Sequence, residues 1–65
     1  MQLHIQNMTC GGCVRRVTKA IQSLDPAAQV EADPVTRKVI VTSQRSQQEI
    51  ETVLAEVGYP AVHAA

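Results

Sequence analysis

Leu3-His4-Ile5-Gln6-Asn7-Met8-Thr9-Cys10-Gly11-Gly12-Cys13-Val14-Arg15-Arg16-Val17 changes its apolar period in mid-course. Leu3 and Ile5 alternate with His4 and Gln6, the period-two pattern of a half-buried strand. Beyond the cysteines, Val14, Val17, Ile21 and Leu24 recur at three- and four-residue spacing, while Arg15, Arg16, Lys19 and Gln22 take the other face. That spacing predicts an amphipathic helix. Asp25-Pro26 ends it, because proline disfavours the helical conformation in the residue before it. Both cysteines of the chain therefore fall in one turn between a strand and a helix.

Outward from this stretch the same signals continue. Val30 and Ala32 alternate with Gln29, Glu31 and Asp33, and Val39 and Val41 alternate with Lys38, Ile40 and Thr42. Asp33-Pro34-Val35-Thr36-Arg37 lies between the two runs as a turn, so they are expected to form an antiparallel hairpin. Ser46-Gln47-Gln48-Glu49 has the form of a capping box. Ile50, Val53, Leu54 and Val57 follow on one expected helix face, and Gly58 stands where helices commonly stop. Ala61-Val62-His63 supplies a short last strand. The order βαββαβ predicts an α+β, ferredoxin-like sandwich: an antiparallel four-stranded sheet with two helices on one face. With 65 residues and no internal repeat, linker or low-complexity tract, residues 1–65 are read as one domain.

Composition excludes several functions. Six basic and six acidic residues give zero formal net charge, so the broad positive footprint of a nucleic-acid or anionic-lipid binder is missing. One tyrosine, with no tryptophan or phenylalanine, offers no platform for stacking bases, and the core is expected to be aliphatic. No window approaches the apolar length of a membrane span. The first residues alternate polar and apolar instead of showing a basic start and an apolar run, which predicts a cytoplasmic protein. In that reducing compartment a cysteine pair reads as metal-binding or catalytic more readily than as a structural disulfide.

Thiolate sulfur favours soft ions such as Cu(I), and also zinc and iron–sulfur clusters. Closed structural zinc takes four protein ligands. Here His4 and His63 lie near opposite ends of the chain, without metal-finger spacing, and are read as surface strand residues. Cu(I) is content with two thiolates in a near-linear arrangement. Position also helps: free N–H groups and the positive end of the helix dipole favour thiolate over thiol at a helix start. Gly11 and Gly12 are expected to leave the turn flexible and open to another molecule's sulfur. Met8 suits Cu(I) as a thioether but is read as packing that continues the Leu3 and Ile5 region.

The Met8-Thr9-Cys10-Gly11-Gly12-Cys13 motif, in a chain of this length and element order, resembles the heavy-metal-associated domain family, and within it the free-standing bacterial copper chaperones. The resemblance runs from Leu3 through Gly58-Tyr59-Pro60-Ala61. It implies a non-enzymatic, cytoplasmic Cu(I) metallochaperone that binds the ion through Cys10 and Cys13. Delivery would be by thiolate exchange to the metal-binding domain of a copper-transporting P-type ATPase. It also implies that Met8 is tucked beneath the loop and that Tyr59 lies close to it, shielding the ion, supporting the loop, or both. Related zinc exporters commonly carry an acidic residue beside the first cysteine. Thr9 is neutral, which favours copper. The glycine pair departs from many relatives, which carry bulkier residues there. Arg15, Arg16 and Lys19 form a basic patch beside the cysteines, suited to docking on an acidic partner.

Other readings stay open on the sequence. A thiol-disulfide oxidoreductase also places CxxC at a helix start, although that fold needs more chain, and the neighbouring tryptophan and proline often seen there are absent. Mercury or zinc are alternative cargoes, mercury carriers of this domain being typically exported. A copper-responsive regulator as second partner, and a copper-bridged dimer in place of a monomer, are likewise left open.

Overall fold

The period change at the cysteines is realised in the computed structural model, which describes residues 1–63. The elements are β1 (Gln2–His4), α1 (Gly11–Leu24), β2 (Gln29–Asp33), β3 (Lys38–Thr42), α2 (Gln47–Glu56) and β4 (Val62–His63). The four strands form one antiparallel sheet in the order β2-β3-β1-β4. This is the ferredoxin-like arrangement expected from the element order.

Register explains why one face is covered. Leu3 pairs with Val39, Val39 with Ala32, and Val41 with Val30. Directly opposed residues point to the same face, so these side chains make one apolar surface. Val17, Ile21, Ile50 and Leu54 of the two helices close over it, and Leu3, Ile5, Val39 and these four helical residues are fully buried. The other face stays open: Ile40, between Gln2 and Glu31, is 44% exposed. Alternation in a five-residue strand thus sorts core from solvent without further help.

The connections follow local chemistry. At the hairpin tip the Val35 N–H donates to Asp33 Oδ1 at 2.9 Å, and Arg37 takes φ 60°, completing the turn in a left-handed conformation. The Ile5 N–H then donates to the Arg37 carbonyl at 2.9 Å, which ties this tip to the start of the cysteine loop. Beyond α1, the Ser43 hydroxyl donates to Asp25 Oδ2 at 2.6 Å. That bond holds the Asp25 carboxyl below its ordinary range and fastens the helix end to the β3–α2 connection. The expected capping box is present: the Glu49 N–H donates to Ser46 Oγ at 3.2 Å and the Ser46 N–H to Glu49 Oε1 at 3.4 Å.

The expectation for Val57 is corrected. It does not join the buried face of α2 but is 47% exposed, because the helix ends at Glu56 and the backbone turns away. Gly58 adopts φ 88°, its N–H donates to the Ala55 carbonyl at 3.2 Å, and the Tyr59 N–H donates to the Leu54 carbonyl at 2.9 Å. These two bonds are a Schellman cap. The glycine is required here, since a side chain strains the backbone at positive φ. Its consequence is positional: the turn sends Tyr59 inward, toward the loop that carries the cysteines.

Candidate metal centre

The loop is anchored from below and open from above. Met8 is fully buried, and its N–H donates to the Ile5 carbonyl at 3.1 Å. Its sulfur therefore belongs to the core, as its place after Leu3 and Ile5 suggests. Thr9 and Cys10 are exposed. Cys10 is the N-cap of α1 in an extended conformation, and its carbonyl accepts from the Val14 N–H at 3.1 Å, closing the first turn. Cys13 is the third residue of the helix and is half-buried. One helical turn thus brings the two sulfurs to 3.1 Å, well beyond the ~2.05 Å of a disulfide. Both cysteines are free.

Gly11 and Gly12 differ from the flexible turn expected of them. Both lie inside α1, and Gly58 alone among the described glycines has positive φ. A Cβ on Gly11 would meet nothing within 4 Å, and one on Gly12 would meet only Cys10 Sγ at 3.8 Å, an ordinary contact. The backbone demands neither glycine. What they contribute is an uncovered approach to Cys10.

Electrostatics act on the Cys13 thiol. The Cys13 thiol is lowered from its ordinary 9.0 to about 6, first by the Tyr59 hydroxyl, then by the Cys10 side chain and the Thr9 backbone, against a smaller opposing effect of burial. The helix start was expected to provide this stabilisation, yet the Cys10 side chain makes no capping hydrogen bond. A residue remote in sequence is the principal cause. Tyr59 is only 8% exposed and packs in the core. Its own hydroxyl is pushed up, chiefly by donating to Cys13 and also by burial, with Arg16 pulling the other way. The tyrosine therefore supports the loop and polarises it together.

Arg15, Arg16 and Lys19 are exposed on α1. The one salt bridge among the described residues joins Arg45 to Glu49 at 3.4 Å, so none of the three is paired to a carboxylate there. Arg16 does more than belong to a patch, since its charge opposes the upward shift of the Tyr59 hydroxyl. Its position three residues after Cys13 is the sequence signal for that, one turn along the same face. His4 and His63 sit on β1 and β4, and His4 Nε2 lies 3.1 Å from Gln6 Oε1. Among the described residues, no group of three or more His, Cys, Asp or Glu side chains is placed to share a metal ion. The convergence that a four-ligand zinc site would need does not occur there.

Comparison with known proteins agrees with this fold. The heavy-metal-associated domain matches residues 2–60. A solved gold binding protein is 46% identical, with a TM-score of 0.92 and 94% of each chain covered. The copper chaperone Atx1 from Synechocystis PCC6803 is 34% identical with a TM-score of 0.92, covering 95% of this chain and 98% of its own. The periplasmic component of a mercuric transport protein from Pseudomonas aeruginosa is 33% identical over 61 residues, 89% of this chain and 67% of that protein. With its fold and nearly its whole length matched in this way, the chain belongs to the heavy-metal-associated domain family of small metal-binding proteins.

Proposed function

We infer that the chain is a Cu(I) carrier that holds the ion between Cys10 and Cys13 and passes it to a related CxxC domain, with a copper-transporting P-type ATPase as the acceptor. The observation that carries this reading is the isolated sulfur pair on an open loop: two thiols 3.1 Å apart and, among the described residues, no His, Asp or Glu side chain placed to share an ion with them. Two soft donors suit a soft ion of low coordination number. Thr9, neutral beside the first cysteine, adds no oxygen anion that would favour zinc.

Loading needs a small rearrangement. A linear two-thiolate ion separates its sulfurs by roughly 4.6 Å, twice the ~2.3 Å of a metal–thiolate bond. The pair must open from 3.1 Å. Cys13 is held by Tyr59 and the helix, so the exposed Cys10 is the arm that swings outward. The same freedom serves release. An acceptor thiolate approaches past Gly11, where no side chain stands in the way, and becomes a third ligand before Cys10 lets go. Transfer then proceeds without free metal, and tight binding does not forbid fast exchange. Arg15 and Lys19 steer the encounter with an acidic acceptor. The cytoplasm is the compartment in which such a dithiol stays reduced. No described helix is long and apolar enough to cross a membrane.

A competition titration against a Cu(I) chelator should show one ion per chain, and Cys10→Ser or Cys13→Ser should abolish tight binding. Undiminished affinity in either variant would sink the assignment. The mercuric relative favours Hg(II) as the second cargo to test. Retention of Hg(II) with no measurable uptake of Cu(I) would select it instead.

A further inference from the structure

We propose that Arg16 sets the preference of the cysteine pair for monovalent over divalent soft ions. The inference rests on the reading of Cys10 and Cys13 as a metal site. A bis-thiolate site holding M(I) carries net charge −1, and the same site holding M(II) is neutral. A fixed positive charge beside the site therefore favours the monovalent complex.

Arg16 is placed to supply that charge. It follows Cys13 by three residues on α1, about 60° around the helix from it, whereas Arg15 lies about 160° away. Arg16 and Cys13 are therefore one turn apart on the same side of α1, with Arg16 exposed beside the half-buried Cys13. Arg16 borders a shallow groove with Lys19, Ala20, Ser23 and Val57, which contains no carboxylate. Among the described residues it has no ion-pair partner. Its charge is thus available to the site.

Comparing Cu(I) with Hg(II) isolates this effect. Both ions accept a two-thiolate arrangement and both displace protons from the same thiols. Any influence of Arg16 on thiol ionisation is common to the two and cancels in their affinity ratio. Only the charge of the loaded site remains.

The test is competition titration of Cu(I) and Hg(II) into wild type, Arg16→Gln, Arg16→Glu and Arg15→Gln, with circular dichroism confirming that each exposed-surface variant is folded. Arg16→Gln should lower the Cu(I)-to-Hg(II) affinity ratio about two- to fivefold, the size expected of a solvent-exposed charge pair, and Arg16→Glu should lower it further. High salt should shrink both effects, and Arg15→Gln should leave the ratio within about twofold of wild type. Equal losses for both ions in Arg16→Gln, or an unchanged ratio, would overturn the proposal while the metal site stands. Wild-type protein that takes up no Cu(I) would overturn the functional reading, and this inference with it.

Discussion

At the scale of single residues, Tyr59 acts on the Cys13 thiol. Its hydroxyl is the largest of the influences that bring Cys13 down to about 6. Removing that hydroxyl in Tyr59→Phe should raise Cys13 toward ordinary thiol behaviour while the ring continues to fill its place in the core. The pH profile of alkylation of the apo protein by a neutral haloacetamide checks this, and an unchanged low-pH thiolate would contradict it. The sign for stability follows from the same shift. A thiol that ionises more readily in the folded than in the unfolded chain contributes stability that is fully present above the unfolded value, near 9. That contribution is lost as pH falls through about 6. Apo wild type should therefore gain thermal stability over Tyr59→Phe as pH rises across that window.

At the scale of elements, the end of α2 is where fold and site are joined. Gly58 at φ 88° closes the Schellman cap that aims Tyr59 at the cysteine loop. Gly58→Ala strains this turn and should cost about 1–2 kcal/mol in chemical denaturation. Because the strain is relieved by shifting Tyr59, the variant should also raise the Cys13 pKa. A stability loss with an unaltered Cys13 titration would show that the turn and the site are independent. The helix start has a different role. Gly11 and Gly12 sit in ordinary helical conformation with room for a Cβ, so they are not demanded by the backbone of α1, and their exposure leaves Cys10 uncovered.

At the scale of the whole molecule, zero net charge hides a local asymmetry. Three cations without a carboxylate partner among the described residues lie on α1 beside the cysteines, while the remote Arg45 is paired to Glu49. If this face steers an acidic acceptor, reversing Arg15 and Lys19 together to glutamate should slow copper transfer at low salt by roughly tenfold and flatten its salt dependence. Copper affinity should stay within about twofold of wild type, since neither side chain is among the groups that shift Cys13 or Tyr59. Stopped-flow transfer to an acceptor CxxC domain at two salt concentrations measures it, and equal rates for the two proteins would reject the docking role. Arg16 is left intact in that variant, which keeps encounter apart from metal charge.

The features legible in the amino-acid sequence are those produced by near neighbours along the chain. Alternation in Val30–Ala32 and Val39–Val41, helical spacing from Val14 to Leu24, the Ser46–Glu49 box and the CxxC turn each depend on residues within one or two turns, so pattern alone determined the element order and the position of the thiols. Tertiary structure decided the rest. Val57 looked like core by spacing, but the Gly58 turn ended the helix one step early and left it exposed. The helix start looked like the source of thiolate stabilisation, but the chief source is Tyr59, 46 positions after Cys13, because only folding brings the end of α2 beside the start of α1. Arg16 read as one cation among three until its influence on that tyrosine set it apart. Periodicity records which way a side chain faces. What it meets there depends on long-range packing between elements.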